Sequence, residues 1–192
     1  MLRSIASKRG APQRLLLGLA LVLLAGCASG QEAQLNELRA RAAYDTALRD
    51  LSENRFSTAL ASLRQAVSLD PEQPRYHNTL GLVHLDLKDL PEAMAAFEKA
   101  IALDPEYAEA HQNLGVALAQ SGRYDEAIKQ YQTALALPLY TNPDTAYYNL
   151  ALAYRDVGRL KEAEDALRRA LKLEPTMVAA YFQLGVILFE SG

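Results

Sequence analysis

Apolar and small residues in this chain recur with the period of a helix, and the helices recur with a longer period of their own. In the segment EAHQNLGVALAQ, His111, Leu114, Gly115 and Leu118 fall at i, i+3, i+4 and i+7 and share one helix face. After Gly122, the segment EAIKQYQTALAL sets Ala127, Tyr131 and Ala134 on a face expected to turn back onto the first. Gly122 suits the left-handed residue that ends the first helix, and Asp125 is expected to cap the second. The small residues Ala47, Gly81, Gly115, Ala151 and Gly185 repeat this arrangement at steps of 34, 34, 36 and 34. Alanines 59, 93, 127 and 163, and again 66, 100, 134 and 170, keep the same steps. A period of this length indicates a repeat array. Asp70-Pro71, Asp104-Pro105 and Glu174-Pro175 close successive units, because proline cannot continue a helix and restricts the residue before it. No segment alternates as a strand does, so the chain is predicted all-α, with units near 40–73, 74–107, 108–143, 144–177 and a partial unit 178–192.

The pattern fails over the first 26 residues. Arg3, Lys8, Arg9 and Arg14 form a basic leader, followed by the apolar run LLLGLALVLLA from Leu15 to Ala25. Eleven apolar residues are too few for a spanning helix, which needs roughly 20, so the run reads as an export signal. Ala25 and Gly26 before Cys27 resemble a lipobox, the site at which the bacterial lipoprotein pathway acylates a thiol and cleaves before it. That resemblance implies a signal peptide over 1–26, acylated Cys27 as the mature terminus, and a lipidated tether over 27–34. Cys27 is the only cysteine, so no disulfide forms within one chain.

Cleavage changes the charge balance. It removes four of the 20 basic residues and none of the 23 acidic ones, leaving 16 against 23, a net charge of −7. Binding to a nucleic-acid backbone needs clustered Lys and Arg, so no nucleic-acid partner is expected. Attachment to a membrane falls to the lipid; one acyl chain is marginal and two or three anchor stably.

The stretch NLGVALAQSGRYDEAIKQYQTALAL, with its echoes TLGLVHLDLKDLPEAMAAFEKAIALDP and NLALAYRDVGRLKEAEDALRRALKLEP, resembles the tetratricopeptide repeat. The resemblance covers Ala40 to Gly192 and implies a superhelical solenoid of antiparallel helix pairs, four complete and a fifth helix alone. It implies a scaffold for binding other proteins, with no catalysis of its own. Thr46 and Asp50 stand where core residues are expected, as suits a terminal unit whose outer face meets water. At the other end Tyr181, Leu184 and Leu188 have no second helix to pack against, as expected of a piece of a longer array.

Candidate chemistry is sparse. His77 and His84 lie on one helix face but about 10 Å apart along the axis, too far to share a zinc ion. With His111 they are expected to be packed or hydrogen-bonded within the core. Asn113 and Asn149 match a common structural position of the repeat. No nucleophile elbow, phosphate loop or CxxC is present. No cofactor or metal is expected.

One residue round from the core stripe lies the face that lines the concave groove in the repeat family. It carries Tyr44, Leu48 and Leu51; Asn78, Leu82 and Leu85; Gln112, Val116 and Ala119; Tyr148, Leu152 and Arg155; and Phe182, Val186 and Phe189. The ladder Leu48, Leu82, Val116, Leu152 and Val186 has two readings. It completes packing between units, or it forms an apolar groove for an amphipathic helix or extended segment. Arg155, Arg41 and Arg75 are the cations near it, too few to clamp a terminal carboxylate.

The 36-residue step falls in LPLYTNPDTAYYNL. Surface loops accept insertions cheaply, about 0.6 kcal/mol per doubling of length, but random insertions tend to be polar and Leu139-Tyr140 is not. A lengthened connection carrying Leu-Tyr and then proline, in a lipid-anchored array, resembles the pilotins of the type IV pilus, the PilF, PilW and Tgl group. That resemblance implies an outer-membrane lipoprotein, facing the periplasm, that assists assembly or localisation of the secretin pore or of another pilus-assembly component. Ala28 after Cys27, in place of Asp, fits outer-membrane sorting. The alternatives are a general periplasmic adaptor lipoprotein, for example for cell-wall enzymes, and the non-catalytic part of an enzyme whose catalytic domain lies beyond residue 192.

Overall fold

The computed structural model describes the backbone of residues 11–191 and the side chains of residues 31–191. The described residues form helices α1 (Ala11–Ser52), α2 (Phe56–Leu69), α3 (Pro74–Asp86), α4 (Leu90–Leu103), α5 (Ala108–Gln120), α6 (Tyr124–Ala136), α7 (Pro143–Asp156), α8 (Leu160–Leu173) and α9 (Val178–Glu190). Among these residues there are no strands. Consecutive helices pair as α1–α2, α3–α4, α5–α6 and α7–α8. Each pair stacks on the next, and α9 stacks on α8.

The leader residues 1–10 and the side chain of Cys27 lie outside the described residues. Residues 27–34, expected as a tether, have a helical backbone inside α1, in keeping with the helix-forming Ala28, Gln31, Glu32, Ala33 and Gln34. A helical segment of that length spans about 12 Å, against about 25 Å if extended.

The turn inside each pair is built the same way four times. Asn54, Lys88, Gly122 and Gly158 occupy equivalent positions and all have positive φ, from 59° to 80°. The next N–H in each case reaches back five residues: Arg55 to the carbonyl of Asp50 at 2.8 Å, Asp89 to His84 at 2.9 Å, Arg123 to Leu118 at 2.9 Å and Arg159 to Tyr154 at 2.8 Å. These bonds satisfy carbonyls that a helix end leaves without partners. Glycine takes the left-handed conformation without a Cβ penalty, as expected of Gly122. Asp125 is not the cap it was expected to be. The helix starts two residues earlier, at Tyr124; Arg123 occupies the cap without a side-chain bond, and Asp125 sits in the first turn, where its charge suits the positive end of the dipole.

The core runs between first and second helices, and its pairs are matched in size. A Cβ added at Gly81 would lie 2.6 Å from Phe97 Cε1, and one added at Gly115 would lie 2.6 Å from Tyr131 Cε1. Where the small residue is alanine, at Ala47 and Ala151, the residue sixteen positions on is leucine, Leu63 and Leu167; all four are fully buried. Glycine therefore faces an aromatic ring and alanine faces leucine, the volumes compensating across the pair.

The first unit departs from its expected polar outer face at one residue. Thr46 is exposed, bonding back to the carbonyl of Ala42 at 2.9 Å. Asp50 is buried, and its Oδ1 accepts from Arg55 Nη2 at 2.6 Å and Nε at 3.1 Å. That guanidinium holds the carboxyl below the usual carboxylate range.

Candidate partner-binding face

The first helices α3, α5, α7 and α9 touch in sequence, so their shared side is a continuous surface. Each ladder residue sits about 100° round its helix from the core stripe, which places it at the edge of the packed layer. Leu48 and Leu82 are 42% and 36% exposed, and Phe182 is 67% exposed. Val116, Leu152 and Val186 are half-buried. Leu85, Val116 and Tyr148 pack against the main core cluster with their inner sides. The ladder thus has an inner edge packed into the solenoid and an outer edge open to a ligand.

Polar side chains tie adjacent first helices together beside it. Tyr44 Oη and Thr79 Oγ1 are 3.0 Å apart. Asn113 Nδ2 donates to Asn78 Oδ1 at 3.0 Å, and Asn78 Nδ2 donates to Tyr107 Oη at 3.3 Å. Asn113 is structural here, as expected. Arg155 donates to Gln183 Oε1 at 2.5 Å and pairs with Asp156 at 3.0 Å, while Arg75 lies over the rings of Tyr44 and Tyr76 at 5.5 and 5.3 Å. Two of the three groove cations are therefore already engaged within the fold.

The histidines are hydrogen-bonded inside the solenoid. His77 Nε2 lies 2.7 Å from the Pro71 carbonyl, and His84 Nδ1 lies 3.2 Å from Asp89 Oδ2. His111 bridges Gln130 Oε1 at 2.8 Å and the Pro105 carbonyl at 3.0 Å. Among the described residues, no three His, Cys, Asp or Glu side chains gather as a metal site requires.

The stretched connection is anchored by one side chain. Leu139 is 89% exposed, but Tyr140 turns inward and its hydroxyl is buried without a hydrogen-bond partner. Burial raises its pKa well above the ordinary tyrosine value, and the carboxylates of Glu109 and Asp144 push the same way. Burial also raises Tyr131, with Tyr140 adding to it. Thr141 Oγ1 donates to Glu109 Oε1 at 3.3 Å, fastening the loop to α5. Pro143, the last residue of the third unit by sequence, is the first residue of α7, behind Asn142.

Sequence reasoning missed a cavity of about 390 Å³ between α6, α7 and α8, floored by Leu135, Leu150 and Ala166 and walled by Tyr147 and Tyr154. It opens on a side of α7 roughly 130° from the ladder. The signal available was Ala166, which stands where the preceding unit has Gln130 bonded to His111.

Three family models described as tetratricopeptide repeat match residues 44–108, 84–153 and 145–177. The chain belongs to the tetratricopeptide-repeat family. This repeat protein has no match among curated sequences. Its fold resembles that of MamA, with a TM-score of 0.70 at 26% identity over 75% of this chain and 83% of that one. It resembles PilW, titled a widely conserved type IV pilus biogenesis factor, with a TM-score of 0.75 at 25% identity over 80% of this chain and 70% of PilW. Pseudomonas aeruginosa PilF aligns with a TM-score of 0.75 at 22% identity over 81% of this chain and 70% of PilF, a likeness of fold alone.

Proposed function

We propose that this repeat protein is an outer-membrane lipoprotein, anchored through acylated Cys27 on the periplasmic side, that assists type IV pilus biogenesis by holding a secretin segment or another pilus-assembly component. The observation that carries the reading is the half-open apolar ladder across successive first helices, beside polar groups spent on holding those helices together. A surface of this kind binds an apolar stripe of a partner and performs no bond chemistry. The likeness to PilW and the buried tyrosine of the stretched connection favour a pilus partner. The likeness to MamA at 26% identity favours the second reading, a general adaptor whose partner is set only by the groove.

Cellular fractionation tests the proposal. The native protein is expected in outer-membrane fractions with an acylated Cys27 at its terminus, and Cys27→Ser is expected to release it folded into the soluble fraction. Loss of the protein should deplete secretin multimers from the outer membrane. An unmodified thiol on a chain still beginning at Met1 contradicts the anchor, and unchanged secretin multimers contradict the pilus role.

A further inference from the structure

The cavity beside α7 lies in the unit that follows the stretched connection, and two residues of that unit open it. In the third unit His111 joins α5 to Gln130 of α6 at 2.8 Å and to the Pro105 carbonyl at 3.0 Å. In the fourth unit the same positions hold Tyr147 and Ala166. Alanine ends at its Cβ and cannot reach across, so about 390 Å³ stays open between α6, α7 and α8. Leu150 and Ala166 in its floor are buried, and the phenol rings of Tyr147 and Tyr154 leave α7 about 10 Å apart along its axis to form the walls. The volume stands at the low end of clefts that hold ligands, about 300–1,000 Å³; it admits one large side chain and not a helix about 10 Å across.

The mouth is polar, and its charges cancel. Glu162 pairs with Arg159 at 2.9 Å. Asp165 and Arg169, one turn apart on α8, carry opposite charges, and the Arg169 guanidinium lies over the Tyr147 ring at 5.7 Å. A charged occupant would gain from one of these groups and lose to the other, so the cavity suits a neutral one. Aromatic walls over an apolar floor favour a ring. Gln132 selects among rings: its Nε2 donates to Tyr154 Oη at 2.7 Å, and its Oε1 accepts no hydrogen bond among the described residues. Indole is the neutral ring that brings a donor and no acceptor. We propose that this cavity seats the tryptophan side chain of a partner polypeptide, its indole between Tyr147 and Tyr154 and its N–H donating to Gln132 Oε1. Tryptophan is a common anchor in pockets of this kind. The chain itself contains no tryptophan, so a second copy of it cannot supply the ring. The seat lies on a different side of α7 from the ladder and does not depend on the pilus reading.

Because the chain has no tryptophan, indole fluorescence reports only the probe. N-acetyl-tryptophanamide, which presents the side chain as a polypeptide does, is expected to shift its emission saturably to the blue when titrated with the full chain. Ala166→Gln, which restores the residue of the third unit, should weaken that binding at least tenfold with unchanged helical dichroism. The 1-methyl probe, whose indole has no N–H, should bind at least fivefold more weakly than the parent, and in Gln132→Met the two probes should bind alike. Gln132 is exposed, so this second comparison decides the matter if Ala166→Gln unfolds. The proposal is overturned by no saturable shift, by undiminished binding to folded Ala166→Gln, or by equal binding of the two probes to the native chain. Free tryptophan separates the two sources of an indole. Its charged ends should add nothing, and binding at least tenfold tighter than the amide would overturn the polypeptide partner in favour of a free amino acid held through Asp165 and Arg169.

Discussion

The first helices present two faces that differ in how they are finished. On the face toward the second helices, Gly81 and Gly115 admit Phe97 and Tyr131, Ala47 and Ala151 admit Leu63 and Leu167, and every one of these side chains is buried. One residue round, Leu48 and Leu82 remain more than a third exposed although the same helices could have presented polar residues there. The first face is closed by the chain itself, so its residues answer to volume. The second is left open at a cost in exposed apolar area, which under the proposed function a partner would cover.

The comparison breaks most strongly on the closed face. Gly81→Ala is expected to cost about 1–3 kcal/mol, because the new methyl meets Cδ1, Cε1 and Cζ of the rigid Phe97 ring, within 2.9 Å of each, and not a flexible end. Adding Phe97→Leu to Gly81→Ala should restore most of that loss, recreating the alanine–leucine pairing of the first and fourth units. Urea unfolding measures both. A double variant no more stable than Gly81→Ala would mean that size matching does not govern the pairs.

The stretched connection sharpens the comparison, since Tyr140 is a buried side chain supplied by a loop. Tyr140→Phe keeps the ring and removes a buried hydroxyl that has no partner, so it should be neutral or stabilising by up to about 1 kcal/mol. Deleting two residues from PLYTN should restore the 34-residue step and weaken partner binding while each half stays folded, as dichroism and a pull-down would show. Normal binding after the deletion would reduce the insertion to a tolerated loop.

A smaller effect follows from the buried phenols. Burial raises the folded-state pKa of Tyr131 and Tyr140 above the ordinary value near 10, so above that pH the unfolded chain loses protons that the folded chain retains. Stability is therefore full below about pH 10 and falls as the pH rises beyond it. Urea midpoints between pH 8 and 11 should show the fall, and Tyr140→Phe should make it shallower.

Much of the solenoid was legible because its determinants are local and repeated. The helix periodicity, the small residues at fixed steps, the positive-φ turn at Gly122 and the proline after Asp70, Asp104 and Glu174 are all features of a few neighbouring residues. What was not legible depends on partners distant in sequence or on exact turn geometry. Asp50 read as a water-facing residue because its neutralising Arg55 lies beyond the helix end, and the turn that brings the two together is marked only by Asn54, a weaker signal than the glycine at the equivalent position 122. Asp125 read as a cap because it is a capping residue type, yet the left-handed turn moved the helix start to Tyr124. The sixteen-residue pairing of Gly81 with Phe97 was present in the sequence, but its meaning required the contact. Ladder positions could be assigned to a face, while their half-burial depended on how closely consecutive units stack.

The most direct test of the account joins Leu82→Asp with Val116→Asp and measures affinity for the secretin, the partner named in the proposed function, alongside thermal unfolding. Each aliphatic side chain buried by a partner contributes about 1.5–3 kcal/mol, so the pair is expected to weaken binding at least a hundredfold. Helical content should be unchanged and stability lowered only modestly, since Leu82 is already open and Val116 half-open to solvent. Native affinity in the folded double variant would contradict the groove as the binding surface.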